Sequence, residues 1–213
     1  MNIAHRAISL MSAFLKSYGP SNIKKVLWDR EFSGTKWDFI DDTAGDCVYP
    51  NLEKYAAGGA ILDLGCGPGN TANELAASAY TNYVGVDISE AALTKAIKRT
   101  RENGRADKNS FFQSDFLSYM PTQHFEVILF RESLYHVPFG QVKMILQKYT
   151  EYLKKDGVFI VRIAVLDRGD GKAKKRPTAM LHVIETEFDV VEKRQYPGAL
   201  GPTVIVFRPR PRH

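Results

Sequence analysis

Cysteine is scarce in this 213-residue chain. Cys47 and Cys66 are the only two, so no disulfide framework organises the fold, and a reducing, cytoplasmic setting is expected. No stretch approaches the roughly 20 apolar residues of a membrane span. The start, MNIAHRAISLMSAFLKSYG, is broken by Ser9 and Ser12 and has no small-residue cleavage site, which argues against a signal peptide. A Gly-Lys-Ser/Thr phosphate loop is also missing. What remains is an ordinary globular composition, 44% hydrophobic and 25% charged, long enough for one substantial α/β core. The net charge of +5 permits nucleic-acid binding without demanding it.

The most informative stretch is Ala60 to Thr71, AILDLGCGPGNT. Ile61, Leu62 and Leu64 form a short apolar run suited to a strand buried on both faces. Gly65, Gly67 and Gly69 then allow a sharp turn and close approach of a ligand. Asn70 to Ala79 reads as a helix whose N-terminus faces the same space. A dinucleotide loop has the spacing G-x-G-x-x-G, whereas here Asn70 stands where the last glycine would be. Asp63, two residues before the first glycine, would repel a pyrophosphate but attract an ammonium or sulfonium. An ordinary tight strand-to-helix turn is the alternative.

The next strands weigh against that alternative. Tyr83 to Ile88, YVGVDI, carries Asp87 about 20 residues beyond the glycine loop, where an acid can accept hydrogen bonds from ribose hydroxyls. Phe111 to Leu117, FFQSDFL, carries Asp115 at a third strand tip, suited to an exocyclic amine and flanked by Phe116 as an apolar wall. Ligands bind at the carboxyl edge of an open α/β sheet. Acids at three consecutive tips are therefore read as a site.

With FEVILFRESLYHVP, these residues resemble the class I S-adenosylmethionine-dependent methyltransferases of the small, single-domain, small-molecule type, from about Ile61 to Arg208. The resemblance implies an α/β, Rossmann-like doubly wound sheet of seven strands, mostly parallel with the last antiparallel. It implies a helical lid over residues 1–57, a cofactor-binding domain over 58–208 and a basic tail over 209–213. S-adenosyl-L-methionine is the implied cofactor. Its implied contacts are Trp37, Asp63, Gly65, Cys66, Gly67, Asn70, Asp87, Ile88, Ser114, Asp115, Phe116 and Arg131. Asp63 and Arg131 would meet the methionine end, Asp87 the ribose and Asp115 the adenine. Glu132, Tyr135 and His136 are the catalytic candidates. His136 is the preferred general base because imidazole titrates near neutrality; a structural role in the turn before Pro138 competes with that. No metal is expected.

The acceptor implied is an oxygen or nitrogen of a small molecule, since the chain lacks the Asn/Asp-Pro-Pro-Tyr/Phe tetrapeptide of many base and glutamine methyltransferases. An RNA or protein methyltransferase, or a non-catalytic module binding S-adenosylmethionine or S-adenosylhomocysteine, are the alternatives. Nucleic acid and membrane are not expected as partners; a monomer or weak homodimer is.

Elsewhere, apolar residues from Ile3 to Tyr18 recur at helical spacing, and Ser21 is placed to cap a second helix reaching about Phe32. Trp28 and Trp37 are candidates to cover the ligand or to anchor helices. Ser89 begins a helix with a basic face, Lys95, Lys98, Arg99 and Arg101, continuing to Arg105 and Lys108. A helix from Phe139 is expected to run to LKKDG, with Gly157 as left-handed C-cap and Leu153 on its apolar face. Val158 to Leu166 reads as the fifth strand, and Asp167 to Pro177 as a basic surface loop. Phe188 to Tyr196 and Thr203 to Arg208 read as a hairpin.

Overall fold

The computed structural model describes residues 3–34, 43–164, 175–197 and 201–211. Trp37 and most of the Asp167 to Pro177 loop lie outside the described residues. Seven strands form one sheet in the order β3-β2-β1-β4-β5-β7-β6. They are β1 Ala60–Leu64, β2 Asn82–Asp87, β3 Asn109–Gln113, β4 Phe125–Arg131, β5 Leu153–Ile163, β6 Phe188–Gln195 and β7 Thr203–Pro209. The first five run parallel, and β7 is antiparallel to both β5 and β6. The order reverses at β1 and β4, so a crevice opens at their carboxyl ends. This is the doubly wound architecture that the family resemblance implies.

Helices α3 Tyr49–Ala56 and α4 Asn70–Glu74 lie on one side of the sheet, where Leu52, Leu75 and Tyr80 pack with Ile61, Leu129 and Ile160. Helices α6 Val142–Thr150 and α7 Lys175–Glu187 cover the other, against Leu62, Leu64, Phe130 and Phe159. Side chains of this kind, fully withdrawn from water, contribute about 1.5–3 kcal/mol each. Helix α5 Glu90–Glu102 follows β2 and is capped by Ser89, whose hydroxyl accepts from Ala92 N at 3.2 Å.

Three elements differ from their sequence expectation. The helix after the glycine loop ends at Glu74, not Ala79. Its continuation needs the Ala72 carbonyl, which instead accepts from Arg105 Nη1 at 2.9 Å and from the Tyr80 hydroxyl at 2.7 Å. Residues 151–157 do not prolong α6. Leu153 pairs with Phe125 as the start of β5, and Gly157 is no left-handed cap. A Cβ there would lie 2.9 Å from the Phe125 carbonyl oxygen, so close approach of β4 is what requires glycine. Asp115 and Ser114 lie just past β3 rather than within a strand.

The N-terminal pair differs in how it packs. Helix α1 Ile3–Tyr18 has the expected bounds, but Leu10, Met11 and Phe14 remain 59–66% exposed. It contacts α2 Ser21–Ser33 and the single helical turn Leu134–His136, burying Lys16 and Ser17 there instead. Ser21 is the first residue of α2 rather than its cap, and its hydroxyl is used elsewhere.

Candidate active site

The glycine loop fixes the centre of the crevice. Gly65, Gly67 and Gly69 all have positive φ, 84°, 54° and 76°. Gly65 N and Cys66 N donate to the Val86 carbonyl at 2.7 and 3.1 Å, and Gly67 N donates to Asp87 Oδ2 at 2.9 Å. The loop is thus tied to the tip of β2. A Cβ at Gly65 would lie 2.4 Å from Ser133 Cβ, so this glycine is demanded by the turn after β4 as well as by its own φ. Gly65→Ala should destabilise the protein by about 3 kcal/mol or more, since left-handed strain alone costs about 1–3 kcal/mol. Denaturant titration checks this; a loss under about 1 kcal/mol would show that the Ser133 turn can move aside.

The loop opens on a cavity of about 650 Å³. Asp63, Cys66, Gly67, Asn70 and Asp87 line its floor, Ile88, Asp115 and Phe116 one end, and Arg131, Glu132, Tyr135 and His136 the other flank. Ser114 is absent from the lining; its hydroxyl donates to the Asp115 carbonyl at 3.2 Å. The roof comes from Lys16, Lys24, Trp28 and Phe32 of α1 and α2, with Asp46 and Arg162 at the wall. Lys24, Asp46 and Arg162 were not singled out from the sequence. Each is an ordinary charged residue on a remote segment, and only folding brings it here.

The acids differ in their surroundings. Asp63 is buried; Oδ2 accepts from the Tyr83 hydroxyl, while Oδ1 has no partner among the described residues. Asp87 Oδ1 accepts from Ser89 N at 2.8 Å and Oδ2 from Gly67 N. Burial pushes the carboxyls of both Asp63 and Asp87 up to about 6. Asp115 Oδ1 accepts from Leu117 N at 3.0 Å, and its Oδ2 holds Ser21 Oγ at 2.9 Å and Lys24 Nζ at 3.2 Å.

Two guanidiniums face two carboxylates at the other end. Arg131 Nη2 donates to Asp46 Oδ2 at 2.8 Å, and Nη1 reaches Tyr49 Oη and Thr71 Oγ1 at 3.3 Å each. Arg162 pairs with Glu132 through Nη1 and approaches Asp46 through Nη2 at 3.4 Å, leaving its buried Nε without a partner among the described residues. Glu132 has a φ of 56°, a strained backbone for a non-glycine residue. Its side chain is held by Arg162, by Ala164 N at 2.7 Å and by Tyr135. Burial raises its carboxyl, with Arg162 opposing. Burial, then Lys16 and Arg176, push the His136 imidazole down to about 3, and the ring stands edge-on to Trp28 at 4.7 Å. His136 is therefore neutral at physiological pH.

Residues 56–196 match the methyltransferase-domain family. The chain belongs to that family. Among curated relatives, the chain is 27% identical over 137 residues to the sterol 24-C-methyltransferase erg6 of Aspergillus fumigatus, covering 59% of this chain and 36% of that protein. It is 32% identical over 120 residues to the ubiquinone biosynthesis O-methyltransferase of Pseudomonas aeruginosa, covering 52% and 47%. The chain thus spans between a third and a half of the length of these relatives. Among solved structures, the N-methyltransferase NodS of Bradyrhizobium japonicum, in complex with S-adenosyl-L-homocysteine, superposes with a TM-score of 0.66 at 17% identity, covering 87% and 97% of the two chains. That likeness is one of fold. Helices α1 and α2 and Asp46 precede the matched stretch, so the roof of the cavity belongs to a part of the chain that the family match does not describe.

Proposed function

We propose that this protein transfers a methyl group from S-adenosyl-L-methionine to an oxygen or nitrogen of a small-molecule acceptor, with residues 1–57 acting as the lid. The observation that carries the cofactor is a pair of buried atoms without a partner among the described residues, Asp63 Oδ1 and Arg162 Nε, on two residues that line one cavity. A buried polar atom without a partner costs about 1–3 kcal/mol. An amino-acid moiety supplies what both lack, an ammonium for Asp63 and a carboxylate for Arg131 and Arg162. Asp87 would take the ribose and Asp115, with Phe116 and Ile88 beside it, the adenine. The cofactor brings an electrophilic methyl carbon on a sulfonium.

The chain's own residues align the acceptor, exclude water and take its proton. Proximity and orientation are worth up to roughly 7–11 kcal/mol in model reactions. We assign the proton to the Glu132 carboxylate, fed by the Tyr135 hydroxyl, rather than to His136. A base works best with a pKa near the operating pH; burial raises the Glu132 carboxyl, whereas burial first, and then Lys16 and Arg176, oppose a charge on His136. His136 and Trp28 then form an aromatic wall against the acceptor. The basic run that continues past α5 gives little support to an RNA substrate, since Arg105 is spent on the Ala72 and Leu75 carbonyls and Lys108 on Ala77 O.

Calorimetry with S-adenosylhomocysteine, followed by labelled methyl transfer to phenols, amines and carboxylates, tests the reading. No heat with either form of the cofactor, alongside tight uptake of NAD or ATP, would overturn it. Cofactor affinity should also depend on pH. Asp63 is needed as a carboxylate to meet the ammonium and titrates at about 6. Protonation below that value removes the ammonium's partner, so the Kd for S-adenosylhomocysteine should rise about tenfold per pH unit below 6 and be flat above 7. Equal affinity at pH 5 and pH 7.5 would remove Asp63 from the binding set.

A further inference from the structure

The N-terminal segment places one cation and one anion of its own at the two polar ends of the cavity. Lys24 Nζ and Ser21 Oγ, both on α2, share Asp115 Oδ2 at 3.2 and 2.9 Å. At the opposite end Asp46 Oδ2 sits 2.8 Å from Arg131 Nη2 and 3.4 Å from Arg162 Nη2. The four side chains of the Lys24–Asp115 and Asp46–Arg131 pairs are 7–13% exposed, so these contacts are withdrawn from bulk water. Their chemistry is specific. Lys24 donates hydrogen bonds to the carboxylate assigned to the adenine amine, and Asp46 presents a carboxylate to the guanidiniums assigned to the methionine carboxylate.

From these two placements we infer that Lys24 and Asp46 imitate the polar ends of the cofactor and compete with it, so that they set its affinity and help to expel the demethylated product. The inference rests on the cofactor reading above. Without such substitutes, Asp115 and Arg131 would each lose the ion pair they make here, while Arg162 would keep Glu132, and breaking a buried ion pair is strongly unfavourable. With them, the cofactor gains only the difference between its own contacts and those it replaces. The exchange needs side-chain movement only. Helix α2 keeps a separate anchor, Asp29 Oδ1, which accepts from Ser89 Oγ at 2.8 Å and Ala91 N at 3.2 Å. The segment carrying Asp46 is likewise held by Thr43, whose hydroxyl donates to Glu74 Oε2 at 2.7 Å.

The test is calorimetry with three probes: S-adenosylhomocysteine, its analogue with inosine in place of adenosine, and its decarboxylated analogue. Lys24→Met should tighten S-adenosylhomocysteine about tenfold and leave the inosine analogue, which lacks the amine, within a factor of about two. Asp46→Asn should likewise tighten S-adenosylhomocysteine and leave the decarboxylated analogue unchanged. Should either variant fold poorly, the wild-type protein supplies a second measurement. Acetylation of Lys24 by acetic anhydride, read by mass spectrometry, should become faster when S-adenosylhomocysteine is saturating, because the ammonium has lost Asp115. Unchanged or weakened affinity in both variants, or slower acetylation in the complex, overturns the competition and makes these residues supports. Failure of the wild type to bind S-adenosylhomocysteine would overturn the cofactor reading and this inference together; binding without the two gains overturns this inference alone.

Discussion

Glu132→Gln should lower the rate of methyl transfer by about a hundredfold or more while leaving S-adenosylhomocysteine affinity within about threefold, the range expected for loss of a general base. Glutamine retains the shape and can still accept from Ala164 N, and Arg162 keeps Asp46 as a counterion. What it loses is the carboxylate that Arg162 and Tyr135 converge on. The strained backbone at Glu132 is consistent with a side chain held for chemistry rather than for packing. His136→Gln is the paired control and should cost less than about tenfold, because that ring takes no proton in the proposed mechanism. A hundredfold loss at His136 with a small loss at Glu132 would return the base to the histidine.

Asp63→Asn should weaken S-adenosylhomocysteine by about a hundredfold, since a hydrogen bond to a charged group is worth about 1.5–3 kcal/mol. The apo protein should not be destabilised by the same change. Asp63 has its carboxyl raised to about 6 by burial, so near neutrality the folded state holds a charge it would shed more readily than the unfolded chain does. A neutral amide removes that penalty, and the apo melting temperature should stay level or rise. The opposite movements of binding and stability separate a ligand-holding acid from a structural one. A variant that binds normally but melts lower would show that Asp63 serves the sheet through Tyr83.

Much of the floor of the site was legible because its residues are local in sequence. Strand β1, the glycine turn, and Asp87 and Asp115 each sit at or just beyond the tip of a strand, and apolar runs announce strands. The two helix boundaries that the sequence misplaced were decided by remote partners. Arg105 and Tyr80 claim the carbonyl that α4 needs, and β4 recruits residues 153–157 into β5. A 3.6-residue pattern contains no information about such claims.

The sequence by itself determined the central strands, the glycine turn and the acids at the strand tips, because strand burial and backbone freedom are properties of short stretches, while the doubly wound order came from the family resemblance. Only the tertiary structure decided what meets those acids. It brought Lys24 to Asp115 and Asp46 to Arg131 and Arg162, and it buried His136, with Lys16 and Arg176 nearby, so that its ring stays neutral. Charge compensation in a buried cavity depends on distance in space, and these partners lie far apart along the chain.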